Sequence, residues 1–144
     1  MIFNPSQADV RRFFCEVWSK LQQRLPLEPL QVMAADWIAE HPEYRADLQS
    51  LDDALARDYP VEGGQTNPFL HLSMHLAIAE QLSIDQPPGI RAAFEQLSRR
   101  LDSPHQAAHQ VMECLGETLW RAQRDRQPPD GAAYIRSVLQ RANR

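Results

Sequence analysis

Prolines decide where this chain can be helical. Eleven of them punctuate 144 residues, and a proline tolerates only the first turn of a helix. Behind Asn4-Pro5, Ser6 with Asp9 three residues on makes a near capping box. From there Val10, Phe13, Phe14, Val17, Trp18 and Leu21 keep helical period to about residue 24, and Pro26 and Pro29 close the run. A second helix, about 29 to 41, has Leu30, Met33, Ala34, Trp37 and Ile38 on its inner face. Pro42 denies His41 an ordinary helical conformation and breaks or kinks the helix there. A third, weaker helix follows on the stripe Leu48, Leu51, Leu55.

Residues 58–67, with Gly63-Gly64, read as the longest loop. Asn67-Pro68 is then an N-cap followed by proline at the first helical position. The helix it opens is the most apolar in the chain: Phe69, Leu70, Leu72, Met74, Leu76, Ala77, Ile78 and Leu82 surround its axis, the pattern of a helix in the middle of a bundle. Asp85 to Gly89 is a rigid connector to a helix of about 88 to 101. Ser103-Pro104 repeats the cap signal and opens a long helix to about 125. Pro128-Pro129-Asp130 stops that one and caps the last, which carries Tyr134, Ile135, Val138 and Leu139. No alternating β-branched run lies between turn signals. The expected architecture is all-α, a single-domain helical bundle over residues 1–144, with about six or seven helices and four longer ones central.

Composition narrows the function classes. The hydrophobic and charged shares, 43% and 24%, are those of a globular protein. A net charge of −4 argues against general nucleic-acid affinity. The charge is uneven: nine acids fall between Glu28 and Glu62, and six arginines between Arg121 and Arg144. A solvated helix face accounts for such a basic segment more simply than a phosphate contact. Cys15 and Cys114 sit in apolar helical patterns and read as buried free thiols. No apolar run is long enough to span a bilayer, and Met1-Ile2-Phe3-Asn4-Pro5 meets a polar stretch without a signal-peptide pattern. The expectation is a cytoplasmic protein with no membrane partner.

Four of the five histidines fall in two identical spacings, His71-x-x-x-His75 and His105-x-x-x-His109. Each spacing stacks two imidazoles one turn apart on one helix face. A neutral imidazole offers one lone pair, so such a pair can point at a common position. Two helices so equipped supply four nitrogens to one ion, or two ligand sets to a pair of ions. Glu113 extends the second pair to three candidate ligands on successive turns. The expected metal ligands are therefore His71, His75, His105, His109 and Glu113, and nitrogen with carboxylate donors suits iron, zinc or manganese. Asp36 and Glu40 form another spacing of four, and Glu40-His41-Pro42-Glu43 is dense in ligand types, so this segment is a weaker candidate for the same site. The absence of any Cys-x-x-Cys argues against a zinc finger. A histidine on an apolar face is also commonly a hydrogen-bonded core residue, and that reading stands beside the metal.

The whole chain resembles a family of small bacterial proteins known only as a domain of unknown function. The resemblance is carried by Phe3-Asn4-Pro5-Ser6, Arg12-Phe13-Phe14 and Ala39-Glu40-His41-Pro42-Glu43-Tyr44. It continues in Gln65-Thr66-Asn67-Pro68-Phe69-Leu70-His71, His75-Leu76-Ala77-Ile78, Asp85-Gln86-Pro87-Pro88-Gly89-Ile90 and the segment from His105 to Leu115. It implies single-domain organisation and localisation, and no activity. The pairs His109/Glu113 and His71/His75 look like elements of haemerythrin-like bundles, but in a different order and without the remaining ligands of that class. The Glu-x-x-His motif of ferritin-like di-iron proteins is missing.

Two functions follow. One is a metal-binding helical bundle; the other is a non-enzymatic interaction or adaptor protein with structural histidines, its protein partner unspecified. A nucleic-acid adaptor using the C-terminal arginines is the least favoured. With no nucleophile motif, phosphate loop or dinucleotide fingerprint, no organic cofactor is implied, and whether the chain is an enzyme is left open.

Overall fold

The computed structural model describes residues 6–59 and 67–144. Asn4-Pro5 and most of the expected loop, residues 60–66, lie outside the described residues, as do Phe3 and Gln65-Thr66 of the family resemblance. Among the described residues the chain forms eight α-helices, one 3-10 turn and no strand, so it is all-α. Contacts group the chain into two compact units, Met1–Ala77 and Ile78–Arg144. The division falls inside one helix.

The first unit holds α1 (Gln7–Gln23), α2 (Pro29–Glu40), a 3-10 turn (Pro42–Tyr44), α3 (Arg45–Leu48), α4 (Leu51–Ala56) and the start of α5 (Pro68–Ile84). Local chemistry sets their ends. Ser6 Oγ accepts from the Asp9 amide at 3.1 Å, and Gln31 Oε1 reaches back to the Glu28 amide at 2.9 Å, satisfying first-turn donors that a helix cannot satisfy itself. Asn67 Oδ1 accepts from the amides of Phe69 and Leu70 at 3.1 and 3.2 Å. The single weak helix expected after residue 44 is two. Ser50 leaves helical conformation, at φ −133°, and caps a new start by accepting from the Asp53 amide at 3.3 Å.

α1 packs on α2, α3 and α4. The core joins Phe14 and Val17 to Ala34, Ile38, Leu48, Ala54, Phe69, Leu72 and Leu76, and each large side chain there contributes about 1.5–3 kcal/mol by leaving water. Arg11 is buried among them. Its Nη1 donates to the carbonyls of Ala54 and Arg57, both at 2.7 Å, so a guanidinium from α1 closes the C-terminal end of α4. Its charge lies 5.4 Å from the centre of the Tyr59 ring and 5.6 Å from that of Phe69, where the ring quadrupoles favour a cation. Tyr59 in turn donates to Asp47 Oδ1 at 2.7 Å.

The second unit holds the end of α5, then α6 (Ile90–Leu101), α7 (Pro104–Asp125) and α8 (Gly131–Ala142). The last three pack on one another around Ile90, Leu97, Val111, Leu115, Tyr134 and Val138. Ser103 and Asp130 cap α7 and α8, accepting from the Gln106 and Ala133 amides at 3.1 and 3.0 Å. Tyr134 donates to Gln81 Oε1 at 2.7 Å. Cys15 and Cys114 are free and buried, and burial pushes both thiols up.

The expectation that α5 is enclosed on all sides is corrected: Leu70 is 58% exposed. It lies two residues from fully buried Leu72, more than half a turn around the axis, so α5 has an outer face.

Replacing Arg11 with alanine strands the buried Ala54 carbonyl and frees that of Arg57, and should lower unfolding stability by roughly 1–3 kcal/mol, measured by urea denaturation. The three tyrosines all have raised pKa values, each chiefly through burial, with Tyr59 pushed up to about 12. A tyrosine whose folded pKa exceeds its unfolded one stabilises the fold fully below the unfolded value near 10, and that stability is lost as pH rises toward the folded value. Absorbance titration should therefore show tyrosinate formation displaced to higher pH in the folded protein, and an ordinary step at about pH 10 after denaturation.

Candidate metal site

Three histidines of the first unit converge. His71 and His75 lie one turn apart on α5, as their spacing requires. His41 arrives from the end of α2. Its φ of −128° and ψ of 65° take the chain out of the helix, as Pro42 demands, and the backbone turns directly into the 3-10 segment. His75 is fully buried and His41 is 7% exposed, whereas His71 is half-buried.

The geometry is focused on the Nε2 atoms. His41 Nε2 lies 3.2 Å from His75 Nε2, and His75 Nε2 lies 3.0 Å from His71 Nε2. One nitrogen of a neutral imidazole carries either a single hydrogen or a single lone pair, which serves two neighbouring ring nitrogens poorly. One cation at their focus serves all three. A metal about 2.1 Å from each nitrogen sets two such nitrogens roughly 3.0 Å apart at a right angle and roughly 3.4 Å apart at the tetrahedral angle. The observed separations fall in that interval. The ligand atoms of these histidines all lie within 4.8 Å of one another, so the cluster could hold a metal ion.

The surroundings fix the rings. Trp37 of α2 stacks on His75, with centroids 3.8 Å apart and planes 13° from parallel. Tyr44 stacks on His41 at 5.1 Å and 14° and meets the His71 ring edge-on at 5.9 Å. On the outer side, Glu43 Oε1 sits 2.7 Å from His41 Nδ1. The hydrogen bond from His41 is the main reason the Glu43 carboxyl lies below the usual glutamate range.

The other sequence candidates belong to the second unit or to the surface. His105 and His109 face each other on α7, with centroids 4.5 Å apart and planes at 72°, and both are half-buried. Glu113, expected as a ligand one turn after His109, stands in an ion pair. Its side chain is 66% exposed and its Oε2 accepts from Arg141 Nη1, a guanidinium that repels a second cation from the same carboxylate. Asp36 and Glu40 are exposed on α2. The weaker segment thus contributes His41 to the cluster and Glu43 as its hydrogen-bond partner. No fixed spacing links His41 to His71; the signal for it was a ligand-type residue pushed out of a helix by the following proline.

Among the described residues the chain is all-helical, and its clustered imidazoles could hold a metal ion. Residues 6–140 match the family described as Domain of unknown function (DUF1841), and the chain belongs to that family. No curated protein and no solved structure matches it. No described helix is long and apolar enough to cross a membrane.

The stacked Trp37 makes the site observable. Titrating the protein with Cu²⁺ should quench tryptophan fluorescence, because a paramagnetic ion bound at His75 would lie beside the indole. In Trp37→Phe the quenching should largely disappear, although Trp18 and Trp120 remain.

Proposed function

We propose that this protein binds one transition-metal ion through His41, His71 and His75. The observation that carries the reading is the approach of three ring nitrogens at 3.0 and 3.2 Å, spacings that also fit two nitrogen ligands of one ion. The donors are all imidazole, which suits zinc, iron, copper or nickel over calcium or magnesium. The His105/His109 pair enters the proposal through its sequence spacing, as a further two-nitrogen donor set. Glu113 is retained only as a carboxylate beside that pair. Such a centre supplies Lewis-acid or redox chemistry when a coordination position stays open to substrate.

Elemental analysis of tag-free protein should find near-stoichiometric metal, with zinc or iron expected first. Chelation should lower the melting temperature, and re-addition of the metal should restore it, because binding energy adds to folding energy. His41→Ala, His71→Ala and His75→Ala should each lower occupancy at least ten-fold. Separate His105→Ala, His109→Ala and Glu113→Ala variants measure what the second set adds. Occupancy should fall on acidification, since a protonated imidazole has no lone pair. Metal-free protein whose stability ignores both chelator and added ions would refute the reading.

A further inference from the structure

We propose that Glu43 is the positioning residue of this site: it holds His41 in the tautomer that leaves Nε2 bare for a metal. The inference rests on the metal-binding reading and extends it to a residue that touches no metal.

An ionised carboxylate has no hydrogen to give. At 2.7 Å from Glu43 Oε1, His41 Nδ1 must therefore be the donor and carry the hydrogen. In a neutral ring the lone pair is then on Nε2, the atom that faces His75 at 3.2 Å. A metal arriving there finds His41 ready, with no proton to relocate. A carboxylate behind a histidine ligand also raises the basicity of the opposite nitrogen.

The placement is economical. Pro42 bends the chain between the two residues, and the 3-10 turn Pro42–Tyr44 brings Glu43 behind the ring of His41. Tyr44, the next residue, stacks on the same ring. Within four residues the segment supplies a ligand, the bend that aims it, the acceptor that sets its hydrogen and the ring that flattens against it. Glu43 is 57% exposed at the side chain, so it supports no core packing. Its carboxylate meets the His41 ring and its own backbone amide.

The test uses the full chain with wild type, Glu43→Gln and Glu43→Ala. Nitrogen-15 correlation spectra of the metal-free proteins report the His41 tautomer. Competition with a chromophoric chelator reports Zn²⁺ affinity. The wild type should show the Nδ1–H form of His41. Glu43→Ala should lose that preference and bind zinc about ten-fold more weakly or worse. Glu43→Gln keeps a neutral acceptor and should fall between. The melting temperature of the metal-free variants should match wild type, which separates positioning from a structural role. A wild type that binds zinc, beside a Glu43→Ala variant with equal affinity or an unchanged His41 tautomer, overturns the proposal while leaving the metal reading intact. A wild type that binds no zinc or other transition metal overturns both.

Discussion

Ring nitrogens brought to within about a hydrogen-bond length of one another must be reconciled by hydrogens or by a cation. In the first unit this constraint falls on His75 Nε2, which faces His71 on one side and His41 on the other. Everything nearby fixes the rings in that arrangement. α5 supplies two of them by its helical repeat, the broken end of α2 supplies the third, and Trp37 and Tyr44 hold ring planes against their own. Packing of this kind removes the rotamer freedom that loosely held ligands lose when an ion binds.

The same unit is held together by a second polar device at some distance along the chain. Arg11 closes the end of α4 and lies against Tyr59 and Phe69. Phe69 lies in the first turn of α5, two residues before His71. The start of the helix that bears the histidines is thus packed against a hydrogen-bonded cation rather than against aliphatic side chains alone, which gives this end of α5 both apolar and polar restraints. In the second unit the comparable restraint is Tyr134 on Gln81, a buried hydroxyl donating to the end of α5.

Much of this was legible in the sequence because it is encoded locally. Ser6, Asn67-Pro68, Ser103-Pro104 and Asp130 each announce a helix start within four residues, and each helix begins where its cap stands. The pairing of His71 with His75 follows from the pitch of one helix. What escaped depends on chain segments far apart in number. His41 meets His75 across 34 residues, and Glu113 finds Arg141 across 28; neither separation has a period to detect. The split between α3 and α4 was missed because Leu48, Leu51 and Leu55 keep helical spacing through the break, and only Ser50 marks it. The outward face of α5 was missed because leucine at position 70 reads as core by type alone.

The bend before Pro42 differs in kind from the contacts around it. Steric exclusion between a pyrrolidine ring and the preceding residue operates in every state of the chain, folded or not. The direction in which the polypeptide leaves α2 is accordingly written into covalent geometry, ahead of any tertiary partner. Of the three imidazoles, that of His41 is the one whose backbone is biased toward its final course while the chain is still searching for the rest.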